Sequence, residues 1–435
     1  MTDATIQERH KKVLERMKEN GYSSLIVYAD KEHGGNFEYL VGFIPRFEEG
    51  LLVLNVDGTS TLLLGNENFN KVKYSRIEAA GIKTSLFSLP NQPMATVEEI
   101  KEQLQDLEID TSENVGLVGW KLIPEMTDQY DLPEYVVNAI KARVDEEKIF
   151  NATTVFIGPE NGARITNNAN EIAHYEYGAS LASDAVLEAL NDLEVGKTEG
   201  DVGENLTKQG QYNNVVTISA FGERFVGGNI YPTDNQLEKG DKVALTTSYR
   251  GGLSSRTGYA VESYEELEEI DPGYFEEIVV PYFTAYHYWL TNIKIGADAG
   301  KFYEDFEAFY PQEKYGWELN PGHLTANEEW MSSPFYKDSK ATVKSGMIFQ
   351  VDFIPIQPPH QGVSAESTIA LADEDLREAI QNEYPKLWAR IVERREYIIE
   401  ELKIELPEEV LPLASTVGYL RPFMLNKEVS LFIEK

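Results

Sequence analysis

Apolar and polar residues in the first 120 positions alternate between a helical and a strand pattern. Residues 5–20 carry apolar side chains at helical spacing, and Gly21 ends that pattern. Residues 49–65 contain two apolar runs joined by Asp57-Gly58, which is a strong hairpin signal. The pattern predicts a helix over 5–20, a strand over 24–29, a hairpin over 49–65, a helix over 97–106 and a strand over 115–120.

From residue 170 onward, a long helical pattern is followed by short apolar runs. Residues 170–193 have apolar side chains at helical spacing. Residues 273–294 form a second helical region, and we expect its many aromatic side chains to pack in a core. Residues 376–405 predict a charged helix or helix pair, and 406–435 a tail with apolar content. Runs punctuated by Gly and Pro predict strands in NVVTISAFG, KVALTTSYRGG, GMIFQVDFIPI and STIALAD.

Strands and helices that alternate in this way indicate an α/β (α+β) protein. The 435 residues are enough for two or three domains, each with its own core. We expect an N-terminal α/β domain over residues 1–160 and a second domain over 161–375. Residues 376–435 are expected to form a helical extension and tail.

The net charge of −34 excludes more functions than the rest of the composition does. It argues against binding nucleic acid and against binding an anionic membrane surface, because both are polyanions. The simplest interpretation is a solvated acidic surface. The same charge would repel acidic substrates from the surface at large.

The chain contains no cysteine, which excludes disulfides, thiolate nucleophiles and cysteine-bound zinc. The N-terminal segment MTDATIQERHKKVLERMKENG carries charge throughout and lacks the apolar core of a signal peptide. No apolar run approaches the roughly 18 residues that span a bilayer. These features predict a soluble, cytoplasmic protein with no membrane partner.

Several short motifs occur in an order that resembles a known family. They are YLVGF (39–43), VGKTEGDV (195–202), PTDNQLEKGD (232–241), NPGHL (320–324), SGMIFQVD (345–352) and GVSAES (362–367). In their order and spacing the chain resembles the pita-bread hydrolases, which include methionine aminopeptidase, aminopeptidase P, prolidase and creatinase. The resemblance implies a creatinase-like N-terminal domain followed by a pita-bread domain.

The family holds two metal ions with Asp, Asp, His, Glu and Glu, and the hairpin that should supply both aspartates departs from this pattern. Tyr249 begins the Tyr-x-Gly motif that lies between the family's aspartates. This register places Ala244 and Ser255, eleven residues apart, at the two aspartate positions. Residues 242–260 contain no Asp, Glu or His, so no other register restores the ligands. The resemblance therefore implies a degenerate metal site.

The other family positions are better filled. The metal-binding His position falls on His323, and the two Glu positions fall on Asp352 and Glu366. Two further family histidines fall on Asn229 and Trp330. Because the dinuclear set is incomplete, we expect no metal cofactor, or at most one divalent ion held by His323, Asp352 and Glu366.

The same three residues are the candidate catalytic group. A carboxylate beside His323 would raise its pKa and orient its ring, as general acid–base catalysis requires. Asp352 lies in an apolar run, and a buried carboxylate needs a partner. That partner is either the site itself or an ion pair with Arg256 or Arg250. His323 could also be an ordinary core histidine.

Five residues are candidates for substrate binding: Asn229, Arg224, Ser255, Trp330 and Tyr249. Arg224 belongs to the Gly-rich segment SAFGERFVGGN, where it could bind a substrate carboxylate or form a surface ion pair. A phosphate-binding loop is not expected, because no Lys-Ser/Thr follows a Gly in that segment.

Three functions remain open at this point. By analogy with creatinase, the chain could hydrolyse a C–N bond in a small cationic or amino-acid-like compound without metal. It could instead be a pseudoenzyme that only binds, or a Xaa-Pro-type aminopeptidase with a reduced single-metal site. The resemblance also implies a small-molecule substrate or a short peptide as the binding partner. It further implies a homodimer in which the N-terminal domain of one chain helps close the pocket of the other.

Overall fold

The computed structural model describes residues 1–92, 96–123, 125, 127–228 and 230–434. The chain divides into two compact units, Met1–Ile165 and Thr166–Lys435. The mixed α/β architecture predicted from the sequence is confirmed. Within the described residues, no helix is both long enough and apolar enough to cross a membrane.

The first unit is built around one mixed sheet with strand order β4-β3-β2-β1-β5-β6. Its strands are β1 Tyr22–Ala29, β2 Gly50–Asn55, β3 Ser60–Leu64, β4 Ala80–Lys83, β5 Asn114–Val118 and β6 Ile149–Asn151. Its helices are α1 Asp3–Glu19, α2 Gly35–Val41, α3 Val97–Gln105, α4 Glu134–Lys141 and α5 Thr154–Ile157, with 3₁₀ turns at Phe69–Tyr74 and Glu146–Lys148.

Helix α1 and the β2–β3 hairpin form where the local sequence pattern predicts them. The Thr2 side chain caps α1 by accepting a hydrogen bond from the Thr5 amide. In the hairpin, β2 and β3 pair antiparallel, and Gly58 takes a positive φ of 94° at the turn. A glycine adopts that backbone conformation without steric cost, so the Asp57-Gly58 turn signal is confirmed.

The second unit contains two sheets, one of order β7-β8-β9 and one of order β10-β11-β12-β13. Its strands are β7 Ile218–Phe221, β8 Lys242–Tyr249, β9 Gly252–Tyr259, β10 His323–Leu324, β11 Ile348–Gln350, β12 Thr368–Leu371 and β13 Val410–Pro412. Its helices are α6 Ala169–Asp192, α7 Glu199–Gly203, α8 Gly222–Val226, α9 Tyr264–Ile270, α10 Val280–Asn292, α11 Ala299–Phe309, α12 Gln312–Tyr315, α13 Glu374–Glu383 and α14 Pro385–Glu400, with a π-helical turn at Phe275–Val279 and a 3₁₀ turn at Glu204–Leu206.

The long helix α6 packs closely against the β8–β9 hairpin. The N-terminus of α6 carries a capping box, in which the Asn168 side chain accepts from the Glu171 amide and the Glu171 side chain bonds back. A Cβ at Gly178 would lie 1.8 Å from the Arg250 carbonyl oxygen. Only a glycine permits this approach, so Gly178 fixes the distance between the helix and the turn of the hairpin.

The aromatic region predicted over 273–294 packs in the core, as expected. Tyr282, Phe283, Tyr286 and Trp289 of α10 are buried. The region predicted over 376–405 is a helix pair, because α14 begins at Pro385 after α13 ends. Residues 376–434 fall within the second unit, where β13 pairs antiparallel with β12.

The register of the four-stranded sheet brings the predicted site residues onto one face. His323 pairs with Gln350, and Gln350 pairs with Thr368. Continuing the second register by two residues sets Asp352 opposite Glu366, on the same face as Gln350, because side chains alternate along a strand. The hairpin joins this sheet through the Thr257–Ser364 bridge.

Candidate functional site

The fold brings His323, Asp352 and Glu366 together as the sequence predicts. All three are buried, and each offers one nitrogen or oxygen atom that lies within 4.8 Å of the other two. They come from β10, from the residue pair after β11 and from the segment before β12. Two adjacent antiparallel strand pairs therefore create the cluster, although 43 residues separate His323 from Glu366 in sequence.

His323 is the centre of the group. Its Nε2 lies 2.9 Å from Glu329 Oε1, although the two atoms are poorly aligned for a hydrogen bond, and 3.9 Å from Asp352 Oδ2. Its Nδ1 lies 3.3 Å from the Leu324 carbonyl oxygen. The imidazole therefore directs Nε2 at two carboxylates, which is the arrangement that a proton donor needs.

Trp330 covers the imidazole. The rings of His323 and Trp330 are stacked, with centroids 4.0 Å apart and planes 20° apart. His323 is fully buried, whereas Trp330 is 37% exposed. One face of the imidazole is thus closed by an aromatic ring, and Nε2 points toward Glu329 and Asp352.

The charges in the cluster shift each group's protonation. Burial lowers the pKa of His323, but the nearby charges of Glu329 and Asp352 outweigh it, so the pKa lies above its usual value. Burial raises the pKa of Asp352 to about 6, and the His323 charge partly opposes that rise. Both groups therefore hold their protons to a higher pH than they would in water.

Glu366 occupies the most strongly desolvated position. Burial, with the charges of Asp352 and Glu329, raises the pKa of Glu366 well above its usual value. Its Oε1 accepts a 3.2 Å hydrogen bond from Gln350 Nε2. The surroundings of Glu366 therefore favour its protonated form, which can donate a hydrogen bond.

The β8–β9 hairpin presents two hydroxyl groups on the side of this cluster. Ser255 stands directly opposite Thr246, and the two hydroxyl oxygens lie 2.8 Å apart. The Ser255 amide also donates to the Glu366 carbonyl oxygen at 3.3 Å. Ala244 is paired with Thr257, which is the next pair on the same face of the hairpin. The pair that faces across the hairpin beside Glu366 is thus Thr246 and Ser255.

These residues do not fit the dinuclear metal centre that the resemblance implies. Two adjacent cations need several anionic oxygens to offset their repulsion, and the hairpin supplies a hydroxyl pair that is satisfied by its own hydrogen bond. The remaining donors, one imidazole and two carboxylates, are chemically suited to one ion at most. The degenerate metal site implied by the family resemblance therefore stays a prediction.

Arg256 does not pair with Asp352. The buried guanidinium donates to the carbonyl oxygens of Ser255, Glu366, Thr416 and Tyr419 and to the Ser367 hydroxyl. Its role is to tie β9 to the segment that carries Glu366. The carboxylates of the cluster therefore have no hydrogen bond from this cation.

The other predicted substrate-binding residues lie in different surroundings. Arg224 binds Glu199, whose side chain is fully buried, through Nε at 3.1 and 3.2 Å. The Tyr249 hydroxyl donates to the Leu206 carbonyl oxygen and accepts from the Lys208 amide. Asn229 lies outside the described residues. Of the four that the structure describes, Ser255 and Trp330 are the two whose contacts join the cluster.

Glu329 and Thr246 are the members of the site that the sequence did not indicate. Glu329 follows another acid in the segment NEEW, and nothing in that pattern distinguishes the two. Thr246 becomes visible only through the cross-strand register, which depends on a two-residue turn between β8 and β9. A criterion that requires two residues to face each other across a hairpin would have selected Thr246 as the partner of Ser255.

Comparisons with known proteins identify the fold. No family model matches the sequence, and no curated protein sequence matches it. Among solved structures, a Xaa-Pro dipeptidase from Bacillus anthracis aligns with a TM-score of 0.63 and 16% identity over 85% of this chain and 96% of that chain. A prolidase from Pyrococcus furiosus aligns with a TM-score of 0.60 and 20% identity over 83% and 96%. An X-Pro aminopeptidase from Thermotoga maritima MSB8 aligns with a TM-score of 0.63 and 15% identity over 84% and 95%.

These structures each match over nearly their whole length and over 83–85% of this chain, so the chain shares the fold of these prolidase and X-Pro aminopeptidase structures over that part. The prediction of a pita-bread fold preceded by a creatinase-like domain is confirmed at the level of fold.

Proposed function

We propose that the chain hydrolyses a C–N bond in a small cationic or amino-acid-like substrate, and that it does so without a metal ion. The observation that carries this proposal is the cluster in which the buried imidazole of His323 lies among the buried carboxyl groups of Asp352 and Glu366 and the partly buried one of Glu329. The solved structures with the same fold are named as dipeptidases and aminopeptidases, and the peptide bond is itself a C–N bond.

His323 and Asp352 supply the proton transfers. Asp352, ionised above pH 6, takes a proton from the attacking water as its oxygen bonds to the substrate carbon. Protonated His323 gives its Nε2 proton to the substrate nitrogen as the C–N bond breaks. The proton on Asp352 then returns to His323 Nε2, 3.9 Å away, so the cycle ends with the enzyme unchanged and one water consumed.

Glu329 and Glu366 prepare the site for this exchange. Glu329 holds the proton on His323 through its charge 2.9 Å away. Burial raises the pKa of Glu366 and so favours its protonated form, which offers a hydrogen bond to a substrate oxygen that gains negative charge in the transition state. Each of the four residues thus has one role that follows from its protonation state.

The charge of the cluster favours a cationic substrate. Three carboxyl groups against one imidazole leave the cluster with negative charge in a buried place, which needs a compensating cation. The guanidinium of Arg256 does not bond to these carboxylates, since it donates to carbonyl and hydroxyl oxygens. An ammonium, guanidinium or amidinium group of the substrate would supply the compensation.

A second candidate function is favoured by one observation. The donor atoms of His323, Asp352 and Glu366 lie within 4.8 Å of one another, a spacing that could also hold one divalent ion. With such an ion bound, the chain would be a Xaa-Pro-type aminopeptidase with a single-metal site, and the ion would supply Lewis-acid chemistry.

A ligand screen followed by product analysis tests the proposal. The protein is treated with chelator and mixed with guanidino and amidino compounds, betaines and Xaa-Pro dipeptides, and unfolding is followed by thermal shift. A ligand at about 100 times its Kd stabilises the fold by roughly 2.7 kcal/mol. We expect stabilisation by one cationic class and release of its amine product.

The screen separates the three functions. Stabilisation with product in chelator supports metal-free hydrolysis. Stabilisation with no product, with or without added Mn²⁺ or Zn²⁺, would show a protein that only binds. Product that appears only after one of these ions is added would establish the single-metal aminopeptidase instead.

A further inference from the structure

One loop connects the two carboxylates of the cluster that lie opposite each other. Residues 353–365 run between Asp352 and Glu366, and within this loop the structure has no helix or strand. The ends of the loop are held by the sheet, since the Gly322 amide donates to the Asp352 carbonyl oxygen at 2.8 Å and the Ser255 amide to that of Glu366 at 3.3 Å. The tip of the loop needs other contacts to be held.

A buried lysine supplies the first of these contacts. Lys242 is the first residue of β8 and is 3% exposed. Its Nζ donates to the Gly362 carbonyl oxygen in the loop at 2.5 Å and to the Tyr274 hydroxyl at 3.1 Å. The Tyr274 hydroxyl donates to the same carbonyl oxygen at 3.2 Å, so Gly362 is bound twice.

Two aromatic faces enclose the same nitrogen. Lys242 Nζ lies 4.5 Å from the ring centroid of Tyr259 and 4.6 Å from that of Tyr274. A buried amine is costly unless its hydrogen bonds are made, and aromatic faces offset part of that cost. A neutral lysine amine donates hydrogen bonds as a protonated one does, so the contact with Gly362 does not depend on the charge.

A histidine and an aspartate supply the second contact. His360 Nδ1 lies 2.6 Å from Asp271 Oδ1, and the other Asp271 oxygen accepts from the Tyr259 hydroxyl at 2.8 Å. His360 Nε2 lies 3.5 Å from Glu277 Oε2. The loop tip is therefore bound at His360 and at Gly362 by groups that share the Tyr259–Tyr274 aromatic pair.

We infer that Lys242, Asp271 and His360 are positioning residues that hold the 353–365 loop and thereby fix where Asp352 and Glu366 stand relative to His323. None of the three touches the cluster, so each acts through the loop. A methionine or leucine at position 242 would fill the same space at lower desolvation cost, and it would leave the Gly362 carbonyl without this donor. The inference rests on the proposed function only for its effect on turnover, since the loop contacts themselves need no substrate.

Hydrogen–deuterium exchange of the Lys242→Met variant tests the inference. The reporters are three loop amides with defined acceptors: Ile356 to the Tyr315 carbonyl oxygen, His360 to the Gln357 carbonyl oxygen and Ala365 to the Tyr282 hydroxyl. We expect these amides to exchange at least about tenfold faster, because loss of the buried hydrogen bond from Lys242 to the Gly362 carbonyl oxygen frees the loop locally. The Leu245 amide in β8 should keep its wild-type rate.

Arg421→Met is the matched control. Arg421 is also a buried cation of the second unit, and it donates to the Leu190 and Met424 carbonyl oxygens and to Asn191 Oδ1, away from the loop. It should lower overall stability without selective exchange in the loop. If Lys242→Met does not fold, His360→Gln, which changes the contacts with Asp271, Glu277 and the Tyr274 ring, gives the same measurement.

Loop exchange within about twofold of wild type, or a uniform rise like that of the control, would overturn the inference. On a substrate found in the screen, Lys242→Met should lower kcat about tenfold with a smaller change in KM. Faster loop exchange with unchanged kcat would also overturn the positioning role. Hydrogen–deuterium exchange is measured without substrate. Absence of any turnover in wild type would therefore count against the proposed function alone, and the exchange result would still show whether Lys242 holds the 353–365 loop.

Discussion

At the scale of single residues, Glu329 determines how His323 titrates. Its Oε1 lies 2.9 Å from Nε2, and its charge is the leading influence that raises the pKa of the imidazole against the opposing effect of burial. The stacked Trp330 ring lies against this imidazole and can report on it. A protonated imidazole quenches the fluorescence of a contacting indole, so the emission follows the charge on His323.

We predict that Trp330 emission of chelator-treated protein rises as pH is raised through a midpoint above 6.5, the usual His value. Glu329→Gln should move the midpoint down by about one pH unit, because one unit corresponds to about 1.4 kcal/mol of lost interaction. Glu328→Gln, which changes the neighbouring acid, is the control and should leave it in place. Trp330→Phe identifies the signal among the five tryptophans. An equal shift in both Gln variants would refute the role of Glu329.

Asp352 gives a stability prediction with a defined sign. Its pKa is raised to about 6 by burial, from an unfolded value near 3.8, so the folded state binds more protons between these two values. Ionisation of Asp352 therefore destabilises the fold, progressively as pH rises from 3.8 to 6 and fully above that window. Asp352→Asn, which mimics the protonated form, removes this cost.

We predict that Asp352→Asn raises the free energy of unfolding by roughly 2–3 kcal/mol at pH 7.5 and by almost nothing at pH 4. Urea unfolding at the two pH values measures the difference. The same variant should lose turnover, a trade-off expected where a site is strained for function. A destabilised Asp352→Asn protein at pH 7.5 would show that the carboxylate is instead stabilised by its surroundings.

At the scale of elements, the β8–β9 hairpin decides whether a metal pair can bind. Thr246 and Ser255 face each other directly on the cluster side, and Ala244, which holds the family's first aspartate position, lies diagonally across from Ser255. Two carboxylates introduced at Thr246 and Ser255 would face each other across the hairpin and stand beside Glu366, whose carbonyl oxygen already bonds to the Ser255 amide.

We predict that the double variant Thr246→Asp/Ser255→Asp binds Mn²⁺ or Co²⁺ with at least about tenfold higher affinity than wild type, because two anionic oxygens are added to the donor set. Isothermal titration calorimetry measures the gain. The control Ala244→Asp/Thr257→Asp adds the same charges one pair further along the same face and should gain less. Equal gains in metal affinity in both variants would mean that the added negative charge acts equally well from either pair of positions.

The predictable part of the fold is the part specified by local pattern. The apolar spacing of residues 5–20 and the Asp57-Gly58 turn each act within a few residues, and α1 and the β2–β3 hairpin form where expected. His323, Asp352 and Glu366 were found through motif order. Glu329 and Thr246 were not, because their place in the site depends on a tertiary contact and on the length of a turn, neither of which a single local pattern encodes.

At the scale of the whole molecule, the net charge of −34 is the dominant electrostatic feature. Like charges on a compact surface repel one another and destabilise the folded state relative to an extended chain. Salt screens this repulsion, since the Debye length falls from about 30 Å at 0.01 M to about 3 Å at 1 M. Stability should therefore increase with ionic strength.

We predict that the unfolding temperature rises by several degrees between about 0.02 and 0.5 M NaCl, because screening relieves self-repulsion. Differential scanning calorimetry at fixed pH measures the shift, and KCl at equal ionic strength should give the same one. A fall in the unfolding temperature would mean that attractive ion pairs, such as that of Arg390 with Glu176, outweigh the repulsion.

The most direct test of the central claim is the rate of C–N hydrolysis by chelator-treated protein, compared between wild type and His323→Gln on the substrate class selected by the screen. The account predicts that wild type keeps its full rate in chelator and that His323→Gln loses at least about 100-fold, the usual contribution of a general acid–base group. A wild-type rate that depends on an added divalent ion, or a His323→Gln variant as fast as wild type, would contradict it.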